Sequence, residues 1–236
     1  LNWLGIGESN AIIMKAEKNR TTDLKQAEID IRRAFDQGYD VPVIMVNGGT
    51  TYDNAIDDIK GFIEFRDRLI HDYKLKYKPH IHIDSVIGWS FLFFKKYDFK
   101  KNELKIEIET LCKLKKQSEK IEGLSLADSW GVDFHKGIGS CPIPCSVIMV
   151  NDSESLASLL QQNQDGSNLH QLVQNFSHTS PVNYTLETSR PGGAPLAALG
   201  ALFTMGIKGF QSYLANLIQM TTLTRKLIKN NANFFV

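Results

Sequence analysis

Ala127-Asp128-Ser129-Trp130-Gly131-Val132-Asp133-Phe134-His135-Lys136-Gly137 is the stretch around which the chain is organised. Trp130, Val132 and Phe134 alternate as apolar residues, which predicts a short buried strand. The strand ends in a His-Lys pair, followed by Gly-rich, Pro-broken chain from Gly137 to Pro144. A lysine at the mouth of a buried strand has two readings. It can simply end the strand as a solvated charge. It can also serve as a nucleophilic amine, because partial desolvation favours the neutral form that attacks carbonyls. On this stretch alone both readings stand.

Upstream, Pro42 to Val46 is a continuous apolar run of strand length, suited to a parallel strand buried on both faces. Asn47-Gly48-Gly49-Thr50-Thr51 follows at its carboxyl end. Two glycines let backbone approach a ligand and two hydroxyls offer hydrogen bonds; a plain structural turn is the alternative. Pro79 to Asp84 alternates polar and apolar and ends in a carboxylate at the carboxyl edge, where open α/β sheets bind ligands. Asp84 can equally be a capping or ion-paired residue. His80, His82 and Asp84 share one strand face and would supply three metal ligands, but no further ligand cluster follows at close spacing, so no metal site is assigned. Downstream, Cys145 to Val150 predicts another buried strand. The Cys141-Pro-Ile-Pro-Cys145 pair is stiffened by two prolines and has no second pair, so neither metal nor redox chemistry is assigned to it.

Helices fill the intervals. Thr22 can cap one running to about Gln37, with Leu24, Ala27, Ile31 and Phe35 on one face and Gly38 as its stop. Ala55 to about Tyr73 predicts a second, with Asp57 and Asp58 in its first turn. Asn102 to about Glu119 predicts a third, with a Lys-rich solvated face. Ala194 to Met205 is a fourth, ended by Gly206, and a longer helix runs from about Lys208 to Lys229. Ala11 to Lys15 reads as a strand. The Gly5-Ile6-Gly7 before it is not a dinucleotide fingerprint, since it precedes the strand and lacks the third glycine. Phe91 to Phe99 reads as packing. Residues 151 to 189 read as a polar loop with a short helix near Glu154 to Gln161, and Asn233 to Val236 as the start of a strand. Strand and helix alternate, which implies an α/β domain with a mainly parallel sheet.

The 236 residues suffice for a well-buried core. Lys+Arg 27 against Asp+Glu 26 leaves +1, so no gross charge bias points to nucleic acid or an anionic membrane. No apolar run suggests a transmembrane helix and no secretory signal is visible. Three cysteines, an odd number, argue for a reducing compartment, and the expected location is cytoplasmic.

Taken in order, Gly-Thr-Thr (49–51), His82-x-Asp84, Asp133-x-His135-Lys136 and Ser189-Arg190-Pro191-Gly192-Gly193 lie at strand or loop ends of one domain. This order resembles the pyridoxal-phosphate-dependent (group II) amino-acid decarboxylases over the whole chain. The resemblance implies the fold type I large domain, an α/β three-layer sandwich with a mainly parallel sheet. It implies a partial large domain at 1–206, and at 207–236 a linking helix with the start of a small C-terminal domain. It implies pyridoxal 5'-phosphate held as a Schiff base on Lys136, with Asp84 beside the ring nitrogen. The cofactor is an electron sink, and the sink works only while that nitrogen stays protonated. His135 then matches a histidine near the cofactor phosphate. Thr51 matches a threonine near the cofactor hydroxyl and substrate carboxylate. His82 and Ser129 complete the cofactor set. Asp133 stands where some relatives have a phosphate-binding Asn; an anion there does not suit phosphate, and it is left out. Arg190 matches the arginine before a helix, either touching substrate or tying its loop to the sheet. Tyr184 and His178 lie in the loop that often supplies the protonating tyrosine.

The implied reaction is decarboxylation of an L-amino acid to an amine and CO2 by a homodimer with shared active sites. A carbon–carbon lyase of the sphingosine-phosphate-lyase type is the alternative favoured by Ser-Arg-Pro-Gly-Gly. A non-catalytic remnant of the fold is a third reading. Members of the group are longer, and their phosphate cup and the ring stacked on the cofactor lie in a part that would precede Leu1. These residues on their own are therefore expected to bind cofactor poorly.

Overall fold

The order of strands in the sheet follows the order of the chain. In the computed structural model, which describes residues 5–138, 140–152 and 191–231, the sheet runs β1 (Val43–Asn47), β2 (His80–Asp84), β3 (Ser129–Asp133), β4 (Ser146–Val150). The first three are parallel, with Met45 opposite His82 and His82 opposite Ser129. β4 is antiparallel to β3, pairing Asp133 with Ser146 and Ser129 with Val150. The reason is local. A parallel return needs a long crossover, usually a helix. Residues 134–145 hold Pro142 and Pro144, which deny the chain that helix. The mainly parallel α/β sheet is the expected one. β4, expected to be buried, is an exposed edge, with Ile148 67% accessible.

Among the described residues four α-helices accompany the sheet: α1 (Leu24–Asp36), α2 (Ile59–Asp72), α3 (Ile108–Ile121) and α4 (Gly193–Lys229). A 3-10 helix, Gly88–Phe94, follows β2. Ile44, Val46, Ile81, Ile83 and Val132 face a core completed by Phe62, Phe65, Leu69, Phe91, Phe94 and Leu114. Burying one such side chain contributes about 1.5–3 kcal/mol. Among the described residues the other sheet face stays open at Val43 and Met45.

Helix starts differ from expectation in an instructive way. Asp23, not Thr22, caps α1 by accepting from the Gln26 N–H at 3.0 Å. Thr22 is drawn away: its N–H and hydroxyl both donate to Asp57, at 2.6 and 2.8 Å. Asp57 is wholly buried and also accepts from the backbone and side-chain nitrogens of Asn47, both at 3.0 Å. It therefore precedes α2 instead of sitting in its first turn, and Asp58 is the cap. α3 begins at Ile108, because Asn102 (φ 44°) and Lys105 (φ 52°) hold left-handed turns that a helix cannot contain. Ala11–Lys15 forms no ladder; Ile13 is 88% exposed, and only Ala16 bridges to Thr22.

α4 is bent at Gly206, whose φ of 58° lies outside the helical region, so the expected break between two helices is present. Its second half packs on the body. Phe210 stacks on Phe93 with centroids 4.2 Å apart, and Gln211 donates to the Phe93 carbonyl at 2.7 Å. Lys226 and Lys113 both reach Glu109, at 2.9 and 2.8 Å, tying α4 to α3. By length and composition alone α4 is apolar enough to cross a membrane (mean hydropathy 1.3 over its best window), contrary to the sequence expectation. Leu196, Leu199, Phe203 and Ile207 line an exposed face of it.

Candidate functional site

β2 and β3 are parallel neighbours, so their carboxyl ends share one edge of the sheet. Asp84 is the last residue of β2. Lys136 follows the last residue of β3, Asp133, by one tight turn. Two contacts fasten that turn to the chain leaving Asp84. The Trp89 indole N–H donates to the Asp133 carbonyl at 3.1 Å. Gly137, at φ +66°, lies so close that a Cβ there would be 3.2 Å from the Ile87 carbonyl oxygen. The Trp89 ring also packs on Phe134, centroids 4.9 Å apart.

Lys136 Nζ lies 2.7 Å from Asp133 Oδ2. The Asp133 side chain is only 7% accessible, and the Lys136 side chain 48%. Burial pushes the Asp133 carboxyl up, but hydrogen bonds from Lys136 and Ser146 outweigh it and hold the group below its ordinary range. The amine thus sits half-exposed at the rim, ion-paired with a buried carboxylate. His135 folds back on its own loop. Its Nδ1 lies 3.1 Å from the Cys145 amide nitrogen and 3.3 Å from the Cys145 carbonyl oxygen, and its Nε2 lies 3.8 Å from Asp133 Oδ2.

One strand step below this edge, Ser129 Oγ lies 2.7 Å from both His80 Nε2 and His82 Nδ1. Burial lowers the His82 pKa, Asp84 raises it and His80 lowers it further, with a net fall. Asp84 itself is exposed, and its carboxylate accepts from the Val86 N–H at 3.4 Å.

The edge therefore assembles Lys136, His135 and Asp84, with His82 and Ser129 on the face leading to it. Thr51 is exposed in the turn after β1. The glycines of that turn serve packing: a Cβ on Gly48 would meet Ser85 Cβ at 2.7 Å, and one on Gly88 would meet the Gly48 oxygen at 1.9 Å. Arg190, Tyr184 and His178 lie outside the described residues. Asp133 is the residue that sequence reasoning set aside and that the structure puts against Lys136. Its place three residues before the lysine, across a turn, was the available signal. Cys141 and Cys145 are buried free thiols beside Ala198. Among the described residues no group of three His, Cys, Asp or Glu side chains could hold a metal ion.

The residues present suit pyridoxal phosphate in kind. A primary amine for a carbonyl and a carboxylate for a ring N–H end adjacent parallel strands. Gly131 between them leaves the sheet face clear, since a Cβ there would meet only Val86 Cγ1 at 3.4 Å and His82 Nε2 at 4.0 Å.

No family model and no curated protein matches the sequence. Solved structures do. Mouse CSAD aligns over 98% of this chain with a TM-score of 0.69 and 17% identity. Oryza sativa TDC, solved with PLP and tryptamine, aligns over 97% with a TM-score of 0.69 and 16% identity. The glutamate decarboxylase domain of diaminobutyrate-pyruvate transaminase and L-2,4-diaminobutyrate decarboxylase from Vibrio parahaemolyticus aligns over 98% with a TM-score of 0.62 and 21% identity. The chain covers 41%, 41% and 38% of these three, about two fifths of their length. Over that span the chain has the α/β fold of these proteins.

Proposed function

We propose that the protein is a pyridoxal-phosphate-dependent lyase that decarboxylates an L-amino acid to an amine and CO2. The observation that carries the reading is the shared edge: Lys136 and Asp84 close adjacent parallel strands of this fold. The bound cofactor supplies an electron sink for the carbanion left by CO2. Lys136 would hold it covalently and would exchange it for the substrate amine. Its ammonium must first give up a proton and leave Asp133. Buried Asp133, whose carboxyl Lys136 and Ser146 hold below its ordinary range against burial, orients the lysine by its charge. Asp84 would keep the ring nitrogen protonated. His135, with Nδ1 tied to the Cys145 backbone, presents Nε2 at the same turn. Support from outside the site comes from the solved structures, which include tryptophan decarboxylase of Catharanthus roseus with L-tryptophan.

The test is borohydride fixation. The full-length protein is incubated with pyridoxal phosphate, reduced, digested and weighed. The modification should sit on the Lys136 peptide and vanish in Lys136→Ala. Asp84→Asn should keep the attachment and lose CO2 release by about a hundredfold or more. Attachment spread over surface lysines, or unchanged in Lys136→Ala, would sink the reading.

A further inference from the structure

Ser129 has one hydroxyl proton and two imidazole neighbours. Its Oγ is 2.7 Å from His80 Nε2 and 2.7 Å from His82 Nδ1, and the residue is 3% exposed. The hydroxyl oxygen could accept from both rings only by leaving its own buried proton without an acceptor, so the arrangement that uses every group has the hydroxyl donating to one ring nitrogen and accepting from the N–H of the other. Two directions satisfy this. In the first, His80 Nε2–H donates to Ser129 and Ser129 donates to His82 Nδ1, leaving His82 Nε2–H free to point outward. In the second, His82 Nε2 is a bare lone pair. Position decides between them. His82 Nε2 lies over Gly131, 4.0 Å from where a Cβ would stand, displaced from Ser129 toward the carboxyl end and hence toward the level of Asp84. There a lone pair is repelled by the carboxylate and an N–H is attracted.

We propose that Ser129 is a positioning residue, whose hydroxyl locks His82 as a neutral donor with its Nε2–H aimed along the sheet face at an oxygen acceptor of the ligand held beside Asp84. The ligand side of this statement rests on the functional reading above; the lock itself does not. Protonating His82 at Nδ1 would turn its contact with Ser129 round and leave the buried hydroxyl proton without an acceptor, so the lock opposes a charge on His82. The charged groups around the pair agree with this or are already engaged. Asp84, on the same strand, attracts a proton to His82, against burial and the charge of His80. Asp128 is tied to Arg66 and Lys78, and Asp133 to Lys136. β1 brings Val43, Met45 and Asn47, and β4 brings Ser146, Ile148 and Val150, all uncharged.

The experiment is a ring-15N NMR titration of both histidines in the ligand-free protein. Neutral His82 should carry its proton on Nε2. In Ser129→Ala the neutral form of His82 loses a hydrogen bond, and its protonated-to-neutral ratio at fixed pH should rise about tenfold. His80→Gln keeps an N–H donor to Ser129 and should leave His82 in the same tautomer. A proton on His82 Nδ1 in the neutral wild-type or His80→Gln protein overturns the proposal. So does an unmoved His82 in folded Ser129→Ala. Addition of pyridoxal phosphate should then perturb the His82 Nε2–H signal more than that of His80, and equal perturbation overturns the ligand side. Failure of Lys136 to take the cofactor would instead sink the functional reading and leave the lock standing.

Discussion

Asp128→Asn should destabilise the protein by about 3–5 kcal/mol, the range for breaking one side of a buried ion pair. The carboxylate precedes β3 and holds it to β2. Its Oδ2 accepts from the Ile81 N–H at 2.8 Å and from Arg66 Nη1 at 2.8 Å, and its Oδ1 lies 2.5 Å from Lys78 Nζ. Side-chain accessibilities are 5% for Arg66, 16% for Asp128 and 55% for Lys78. The asparagine would keep one oxygen for both Ile81 and Arg66 but take away the negative charge that faces the buried Arg66 guanidinium, and it would turn its NH2 group toward Lys78. Lys78 can return to water, so Lys78→Met should cost only about 0–1 kcal/mol. For a protein of this size each kcal/mol moves Tm by about 2–4 °C, which predicts a drop of roughly 6–20 °C for Asp128→Asn. Circular-dichroism melts with urea titrations read both variants. The pH dependence has a definite sign. Burial raises the Asp128 pKa, but the Ile81 N–H, Lys78 and Arg66 lower it more, so the folded value is depressed. Its contribution is full above the unfolded carboxylate range, near pH 4, and is lost as pH falls through the lower folded value. The gap between wild type and Asp128→Asn should therefore close in acid. A loss below about 1 kcal/mol, or an equal loss in Lys78→Met, would refute this account of how β3 is seated.

Gly88→Ala places a Cβ 1.9 Å from a backbone oxygen that cannot move aside, so a loss of at least ~3 kcal/mol is expected in urea unfolding. Cys112 is exposed while Cys141 and Cys145 are buried, so a thiol reagent should label one cysteine quickly and all three only in denaturant. Glu109, between Lys113 and Lys226, has its pKa lowered to about 2. Its contribution to the α3–α4 contact is full above the unfolded value and fades as pH falls through about 2. The acid unfolding curve of Glu109→Gln should accordingly be the flatter of the two between pH 4 and 2. Phe210→Ala removes a ring stacked on Phe93 and should cost about 3–5 kcal/mol by the same melts.

Where a side chain's partner is near in sequence or set by period, the reading held. Trp130 and Val132 alternate as a strand, and Ala27 and Ile31 face the core one helical turn apart. Gly206 breaks the helix as glycine should. The misreadings share a cause in distant partners. Thr22 has the right chemistry for a cap, but Asp57, thirty-five residues on, competes for both its donors. Ala11–Lys15 has strand composition, but among the described residues no strand lies beside it to pair with. β4 is apolar enough for a buried strand, yet the prolines before it return the chain antiparallel to an edge. At the site, strand ends placed Asp84 and Lys136 on one edge. The pairing of Asp133 with Lys136 depends on how a turn folds back, which spacing alone does not encode.

The 1.9 Å approach that a Gly88 side chain would make to the Gly48 oxygen has a consequence for anyone redesigning this edge. The turns after β1 and β2 are keyed into each other as one part, so neither can be lengthened or replaced alone. A graft meant to change what the edge accepts would have to carry both turns together. The residues free to vary are the side chains hung on that interlock, such as Thr51 and Val86, while its two glycines are fixed by the contact itself.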